Sequence, residues 1–276
     1  MALTQKNPNE MSFFEHIEVL RWHLFRAALS VIVVSIAMFS AKTFIFQYVI
    51  LGPLNPDFPT YRLFCSFGPN FCFFPAKLNI ITRDIQEQFM CHIKVSLWLG
   101  FIIAFPYIFY EFWKFIKPGL YKKEIKAARG MVFICSFLFL FGISFGYFLI
   151  SPIAVTFLAS YSVSPDVVNT TTLDSFVDNM TMFTLPMGLI FELPVVLYFL
   201  AKIGIVSSPF LAQYRRHAIV VITIVSAVIT PTTDIFTMTM VGIPLYALYE
   251  VSIIVTRKVD KEREEKEKNE IPDIDG

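Results

Sequence analysis

The sequence predicts an all-α integral membrane protein, and its composition and the lengths of its apolar runs carry that prediction. Hydrophobic residues make up 55% of the 276 residues and mean hydropathy is +0.61. Charged residues reach 16%, well below the level of about 25% in soluble domains. The 31 Phe residues give more apolar surface than one water-soluble core buries. A net charge of +1 without a basic block excludes a nucleic-acid-binding protein.

Six apolar segments are long enough, or nearly so, to cross a bilayer as helices, which requires about 18 residues or more. The predicted spans are residues 24–46, 91–112, 131–158, 175–201, 217–230 and 235–256. The fifth has 14 residues and Pro244 interrupts the sixth, so we expect both helices to be short. An N-terminal arm, 1–23, precedes this membrane domain, 24–256, and a charged tail, 257–276, follows it.

The positions of Lys and Arg predict the orientation in the membrane. Eighteen of the 23 fall in the arm with the start of the first span, the second and fourth connections and the tail. The other five fall in the first connection or at its borders, and the third and fifth connections have none. Cytoplasmic segments carry the excess of positive charge. We therefore expect both termini in the cytoplasm, which agrees with an even number of spans.

The first external connection contains two features of interest. Gly68-Pro-Asn70 separates Cys65 from Cys72 and favours a turn, so the two thiols can meet and oxidise in an exported loop. The alternative is a pair of free thiols. Further on, apolar residues recur at helical spacing and predict an amphipathic helix, lying either on the outer membrane surface or as a cap over the bundle. These apolar residues are Leu78, Ile81, Ile85 and Phe89.

Catalytic motifs are weak in this sequence. No phosphate-binding Gly-x-x-x-x-Gly-Lys-Ser/Thr loop is present. Gly142-Ile-Ser144-Phe-Gly146 matches the nucleophile elbow of hydrolases but falls inside an apolar helix, where that motif does not work. The same residues suit a Gly-x-x-x-Gly packing face. We expect no enzyme activity, no cofactor and no metal site.

Three places combine charge with the membrane boundary or interior. Glu124 is an acid among six cations in the connection between the second and third spans. The arm is amphipathic and acidic from Phe14 to Trp22. Glu192 lies near mid-bilayer between Pro186 and Pro194, where a charge costs about 2.5–3.5 kcal/mol. Glu192 therefore needs a partner, a proton or water; one reading is a protonated side chain bonded to a carbonyl freed by proline.

With these motifs, the chain resembles the TatC family, the polytopic receptor subunits of the twin-arginine protein translocase. The resemblance covers nearly everything from Phe13 to Thr256, with several motifs in the right order. They are His16-Ile-Glu-Val-Leu-Arg21, Phe115-Ile-Lys-Pro118-Gly-Leu-Tyr121-Lys-Lys-Glu124, Phe191-Glu192-Leu-Pro194, Thr230-Pro231 with Asp234, and Ile243-Pro244-Leu-Tyr246.

The resemblance implies that twin-arginine signal peptides of folded cargo bind at the arm and the first cytoplasmic loop. The implied residues are Glu124, Phe115, Pro118, Tyr121, Glu18 and Arg21. One departure is that the acid of the family motif falls at Val19, whereas Glu18 is one residue earlier, a rotation of about 100 degrees on a helix.

The resemblance also implies partners and a location. The partners are single-span TatA/TatB-type subunits, other copies of the chain and the lipid bilayer. A partner helix is expected at Thr230, Pro231, Asp234 and Met238. The implied process is export of folded proteins across the bacterial cytoplasmic membrane, driven by the proton motive force. An ion-coupled secondary transporter with Glu192 as its proton site is the rival interpretation, but it predicts internal repeats, and the two halves show none.

Overall fold

The computed structural model describes residues 13–68, 72, 74–75, 78–116, 130–162, 164, 170–230 and 234–270, with the side chains of 13–16, 264 and 266–270 excepted. Two compact units make up the chain. The first unit comprises residues 1–42 and 92–136, and the second comprises 43–91 and 137–276. Pro118, Tyr121, Glu124 and Pro231 lie outside the described residues.

Helices dominate the described chain, as predicted. They are α1 (Phe13–Ser40), α2 (Lys42–Phe44), α3 (Pro59–Ser66), α4 (Glu87–Ile116), α5 (Met131–Phe145), α6 (Ser151–Ser160), α7 (Leu173–Ile190), α8 (Leu193–Lys202), α9 (Ser208–Gln213), α10 (Arg215–Ile229) and α11 (Ile235–Glu270). π-helical turns span Ile45–Ile50 and Gly146–Ile150, and a 3₁₀ turn spans Gly52–Leu54.

Five helical stretches among the described residues are long and apolar enough to cross a membrane. They are Ile17–Ser40, Glu87–Ile116, Met131–Ser160, Leu173–Lys202 and Ile235–Arg263. The predicted fifth span corresponds to α10, which has 15 residues, or roughly 22 Å of helix. The chain is thus a multi-pass helical membrane protein, with α10 shorter than the other five.

In the first unit, α1 and α4 pack antiparallel. Phe39 stacks on His92 with ring centroids 3.9 Å apart near one end of the pair. Ser35 lies so close to Gly100 that a Cβ added at Gly100 would overlap it. Near the other end, the His23 imidazole contacts α4. Residues later in α1 contact residues earlier in α4. The start of α1 therefore lies beside the end of α4.

In the second unit, glycines bring α5 and α7 into backbone contact. A Cβ added at Gly142 would lie 2.7 Å from the Met187 carbonyl oxygen and 2.9 Å from the Gly188 Cα. A Cβ at Gly146 would lie 2.9 Å from the Thr184 Cα. The Gly-x-x-x-Gly pattern therefore forms a packing face. The adjoining core is Ile150, Ala154, Phe183, Met187, Phe191, Val241 and Leu245.

Pro194 separates α7 from α8. Residues 191 and 192 form a turn between the two helices, and Pro194 occupies the first turn of α8. Proline lacks the N–H that would continue the α7 hydrogen-bond pattern and is well tolerated at a helix start. The Glu192 carbonyl accepts from the N–H groups of Val195 and Val196 at 3.0 Å each. The predicted fourth span is therefore two helices joined at Glu192.

The prediction of an amphipathic helix over 78–89 is wrong. Residues Asn79–Ile81 form strand β1, which pairs in parallel with β2, Thr170–Thr172. Glu87 then begins α4, and its carboxylate accepts from the N–H groups of Arg83 at 2.6 Å and Asp174 at 3.0 Å. The apolar spacing favours a helix, but hydrogen bonding to the distant β2 segment forms a strand instead. The β-branched residues Ile80 and Ile81 suit a strand.

Cys65 and Cys72 form a disulfide in the first connection, the pairing expected for an exported loop. Nearby, the Tyr61 hydroxyl donates to the Pro53 carbonyl at 2.7 Å, and burial raises the pKa of the Tyr61 phenol above its ordinary value. The Tyr147 hydroxyl donates to the Val49 carbonyl at 2.7 Å. These bonds hold the segment that follows α2 against α3 and against the π-helical turn at Gly146–Ile150.

The prediction that the sixth helix is short is also wrong. Helix α11 has 36 residues and continues through Pro244 into the charged segment. Asp234 starts it, accepting the Thr237 N–H at 2.8 Å and the Thr237 hydroxyl at 2.6 Å. Burial of Val241 and Leu245 on either side of Pro244 maintains the helix, because packing outweighs one missing hydrogen bond.

Replacement of Gly142 by alanine tests the α5–α7 contact. We expect Gly142→Ala to lower the free energy of unfolding by about 1–3 kcal/mol, since overpacking against backbone forces the helices apart. Gly130→Ala is the matched control, because nothing lies within 4 Å of the added Cβ there. Denaturant unfolding in detergent micelles measures both. Equal stability of the two variants would show that the helices separate at no cost.

Candidate functional site

A buried carboxylate lies where α1 begins and α4 ends. Glu111 is 3% exposed, and its Oε2 is 2.6 Å from Nδ1 of His23, a distance at which the imidazole N–H donates to the carboxylate. The Arg26 guanidinium lies 3.5 Å from the same oxygen. The Tyr107 hydroxyl, one helical turn before Glu111, lies close to this carboxyl and interacts with it. We call these four residues the Glu111 cluster.

Phe115 extends the Glu111 cluster toward the end of α4. Its ring centroid lies 6.2 Å from that of His23 in an edge-to-face arrangement, and the side chain is half-buried. The cluster therefore fixes Phe115 beside α1, one residue before α4 ends at Ile116.

The described part of the arm, from Phe13 onward, forms the first turns of α1, and several of its side chains are accessible. Glu18 and Arg21 are both exposed, as is Val19. The Arg21 guanidinium lies 5.8 Å from the centroid of the Trp22 ring, within cation–π range. The Glu18 carboxylate is thus available to a ligand, on the helix that His23 attaches to α4.

Other predicted site residues lie in the second unit. Glu192 sits at the α7–α8 break, with both carboxyl oxygens buried. Thr230 is buried at the end of α10, and its hydroxyl donates to the Ser226 carbonyl at 3.0 Å. Asp234 caps α11 and Met238 is half-buried in its first turn. Their roles stay predictions, as do those of Pro118, Tyr121, Glu124 and Pro231, which lie outside the described part.

Sequence reasoning missed two polar clusters. Glu111 lies next to the end of the predicted second span and Glu250 lies within the predicted sixth, and neither was assigned a role from the sequence. Glu250 in fact accepts from Arg215 at 2.8 Å and from Tyr246 at 3.0 Å, which joins α10 to α11. A usable signal existed for Glu111: an acid in a long aromatic stretch requires a cationic or donor partner.

The groups around the Glu111 cluster can make binding contacts with a ligand. Among the described side chains, no three His, Cys, Asp or Glu residues converge closely enough to hold a metal ion. The accessible carboxylate of Glu18 and the ring of Phe115 offer an ionic and an apolar contact on the same end of an antiparallel helix pair. The chain is thus a multi-pass membrane protein whose first unit carries an accessible carboxylate and an aromatic ring at one end.

Comparison with known proteins agrees with this class and specifies it. The profile of the family described as Sec-independent protein translocase protein (TatC) matches residues 15–244. The chain is 41% identical over 262 residues to the Sec-independent protein translocase protein TatC of Blattabacterium sp. subsp. Periplaneta americana, covering 92% of this chain and 98% of that protein. It is 32% identical over 255 residues to the TatC of Campylobacter jejuni, covering 92% and 97%.

A solved structure is similar as well. The crystal structure of a twin arginine translocase receptor, TatC, superposes with a TM-score of 0.71 at 30% identity, covering 89% of this chain and 100% of that one. The chain belongs to the TatC family. It is therefore a membrane protein of Sec-independent, twin-arginine protein translocation.

A double-mutant cycle tests whether the Glu111 cluster holds α1 to α4. We expect His23→Leu to lower the free energy of unfolding by about 3 kcal/mol, because it leaves a buried carboxylate without its closest partner. His23→Leu combined with Glu111→Leu should recover most of that loss, since an apolar pair of similar volume is often neutral. Denaturant unfolding in micelles measures both. A double variant no more stable than the single one would contradict the assignment.

Proposed function

We propose that the chain is a receptor that binds the twin-arginine signal peptides of folded cargo proteins, at the end of the first unit where α1 begins and α4 ends. The observation that carries this proposal is the Glu111 cluster. It attaches the acidic start of α1 to the last turn of α4, and the chain that leaves α4 there contains Glu124.

The recognition chemistry follows from charge and shape. Paired guanidinium groups prefer carboxylates, with which they form bidentate, charge-assisted hydrogen bonds. In this proposal Glu124 and Glu18 bind the two arginines, and Arg21 orients the arm. Phe115 contacts the apolar residues next to the arginines, and Pro118 and Tyr121 shape the loop.

We further propose a six-span topology with both termini in the cytoplasm of a bacterial cell. The asymmetry of 18 against five Lys and Arg supports this orientation. Helix α10 is the additional, sixth crossing. Its length of roughly 22 Å is below a bilayer core of about 30 Å, so the membrane thins around it or a partner shields it.

Single-span TatA/TatB-type subunits are proposed to dock along α10 and the start of α11, near Thr230, Pro231, Asp234 and Met238. The support is an unpaired apolar face: Ile219, Val220, Val221, Ile224 and Val228 on α10 are each at least 49% exposed. Further copies of the chain complete the assembly. Export uses the proton motive force, and Glu192 provides a polar group within the membrane.

Replacement of Glu124 tests the recognition site. We expect Glu124→Gln to reduce crosslinking of a photoreactive twin-arginine signal peptide at least about tenfold, because each charge-assisted hydrogen bond contributes about 1.5–3 kcal/mol. The matched control is Glu262→Gln, which neutralises an exposed acid on α11. A peptide with two lysines in place of the arginines gives the background level.

Three outcomes separate the possibilities. The site is supported if crosslinking is lost with Glu124→Gln and retained with Glu262→Gln, and if the twin-lysine peptide gives no specific crosslink. Unchanged crosslinking of Glu124→Gln removes Glu124 from the site. Equal crosslinking of both peptides by the parent protein overturns twin-arginine recognition itself.

A further inference from the structure

A basic cavity of about 420 Å³ lies in the second unit, between α11 and the segment that connects α8 to α9. Three cationic side chains of α11 line it, Arg257, Lys261 and Arg263, together with the carboxylate of Asp260. Ser207 forms part of the opposite wall. Among the described side chains, the lining therefore has three positive charges and one negative charge.

The carboxylate of Asp260 is already engaged within the protein. Its Oδ2 accepts the Ser208 N–H at 2.6 Å, which attaches the start of α9 to α11. Even with the negative charge of Asp260 counted in full, the three cations exceed it by two charges. The cavity consequently presents an excess of positive charge to a ligand.

Arg263 is positioned by the turn that follows α8. Gly204 has a φ of +80°, a left-handed conformation that glycine adopts without strain. A Cβ added at Gly204 would overlap the Arg263 guanidinium. The guanidinium thus lies directly over this turn, and Arg263, although exposed, forms part of the cavity lining.

Exposed apolar side chains flank Ser207–Pro209, the residues of the cavity wall opposite α11, in the sequence. Ile203 is 66% exposed, Ile205 is 68% exposed and Phe210, on α9, is 50% exposed. Exposed aliphatic side chains beside a cluster of cations are typical of the level at which hydrocarbon meets lipid headgroups. The sequence of α11 agrees, because its apolar part ends at Thr256 and its charged part begins at Arg257.

We propose that this cavity binds the phosphate-bearing headgroup of an anionic phospholipid, whose acyl chains lie against Ile203, Ile205 and Phe210. The volume is within the range of about 300–1,000 Å³ that small-molecule sites occupy. Free phosphate shares the chemistry of the headgroup, but only a lipid also covers the exposed apolar side chains. The proposal is independent of signal-peptide binding, since it uses only residues of the second unit.

Lipid binding to the purified full-length protein tests the proposal. Native mass spectrometry with phosphatidylglycerol measures the affinity, and phosphatidylcholine gives the zwitterionic baseline. We expect Arg257→Gln/Lys261→Gln to weaken phosphatidylglycerol binding about 25-fold, or about fivefold for each cation. The matched control, Arg216→Gln/Lys258→Gln, removes the same charges from exposed positions outside the cavity.

The outcomes are distinct. Selective loss in the cavity variant supports the site. Equal loss in both variants, or in neither, overturns it, because binding would then reflect general surface charge or another location. Displacement of phosphatidylglycerol by millimolar inorganic phosphate, with phosphate retained on the protein, would assign the cavity to a soluble anion and overturn the lipid assignment.

A second measurement on the unaltered protein does not depend on how the variants fold. Phosphatidylglycerol with a photoreactive group near the start of its acyl chain should label the peptide that contains residues 203–210. Labelling confined to other segments would contradict the proposal, whatever the variants show.

Discussion

Burial of the Glu111 carboxylate between α1 and α4 is the constraint on which the proposed binding end of the first unit depends. Removing a carboxylate from water costs several kcal/mol unless hydrogen bonds and opposite charge offset it. His23, Arg26 and Tyr107 supply those contacts. Because the contacts are directional and join residues 88 positions apart, they set the rotation and register of α1 on α4. The remaining contacts between α1 and α4, such as Phe39 stacked on His92, are packing contacts, which depend less on orientation than hydrogen bonds do.

The second unit is held together by different means. Gly142 of α5 and Gly146 of the π-helical turn after it allow backbone contact with α7. Pro194 divides the fourth span so that Phe191 can turn into the core. Polar contacts occur toward the helix ends. Glu87 accepts a backbone hydrogen bond from the start of α7, and Glu250 forms an ion pair with Arg215. Apolar surface is consequently left outward along α10 and α11, available to lipid or to a partner helix.

The sequence predicts the helical membrane architecture well, because charge-free apolar runs have few alternatives in a bilayer. The disulfide between Cys65 and Cys72 could also be predicted, from the turn residues between the two cysteines and from the oxidising environment expected for an exported loop. Prediction fails where distant segments decide the outcome. Residues 79–81 have a helical period, but they pair with residues 170–172. Pro244 indicates a break, but packing maintains α11 through it. No local motif marks Glu111, because its partners are on α1 and reach it only when α1 packs against α4.

The distance between the arm and the end of α4 tests this account most directly. Nitroxide labels attached through unnatural amino acids at the exposed positions Val19 and Phe112 allow its distribution to be measured by pulsed electron resonance. We expect a narrow distribution in the parent protein and a broad one in Glu111→Leu. The control Tyr110→Leu, which alters the exposed neighbour on α4, should give a narrow distribution. A distribution that stays narrow in Glu111→Leu would contradict the claim that the buried carboxylate holds the arm in place.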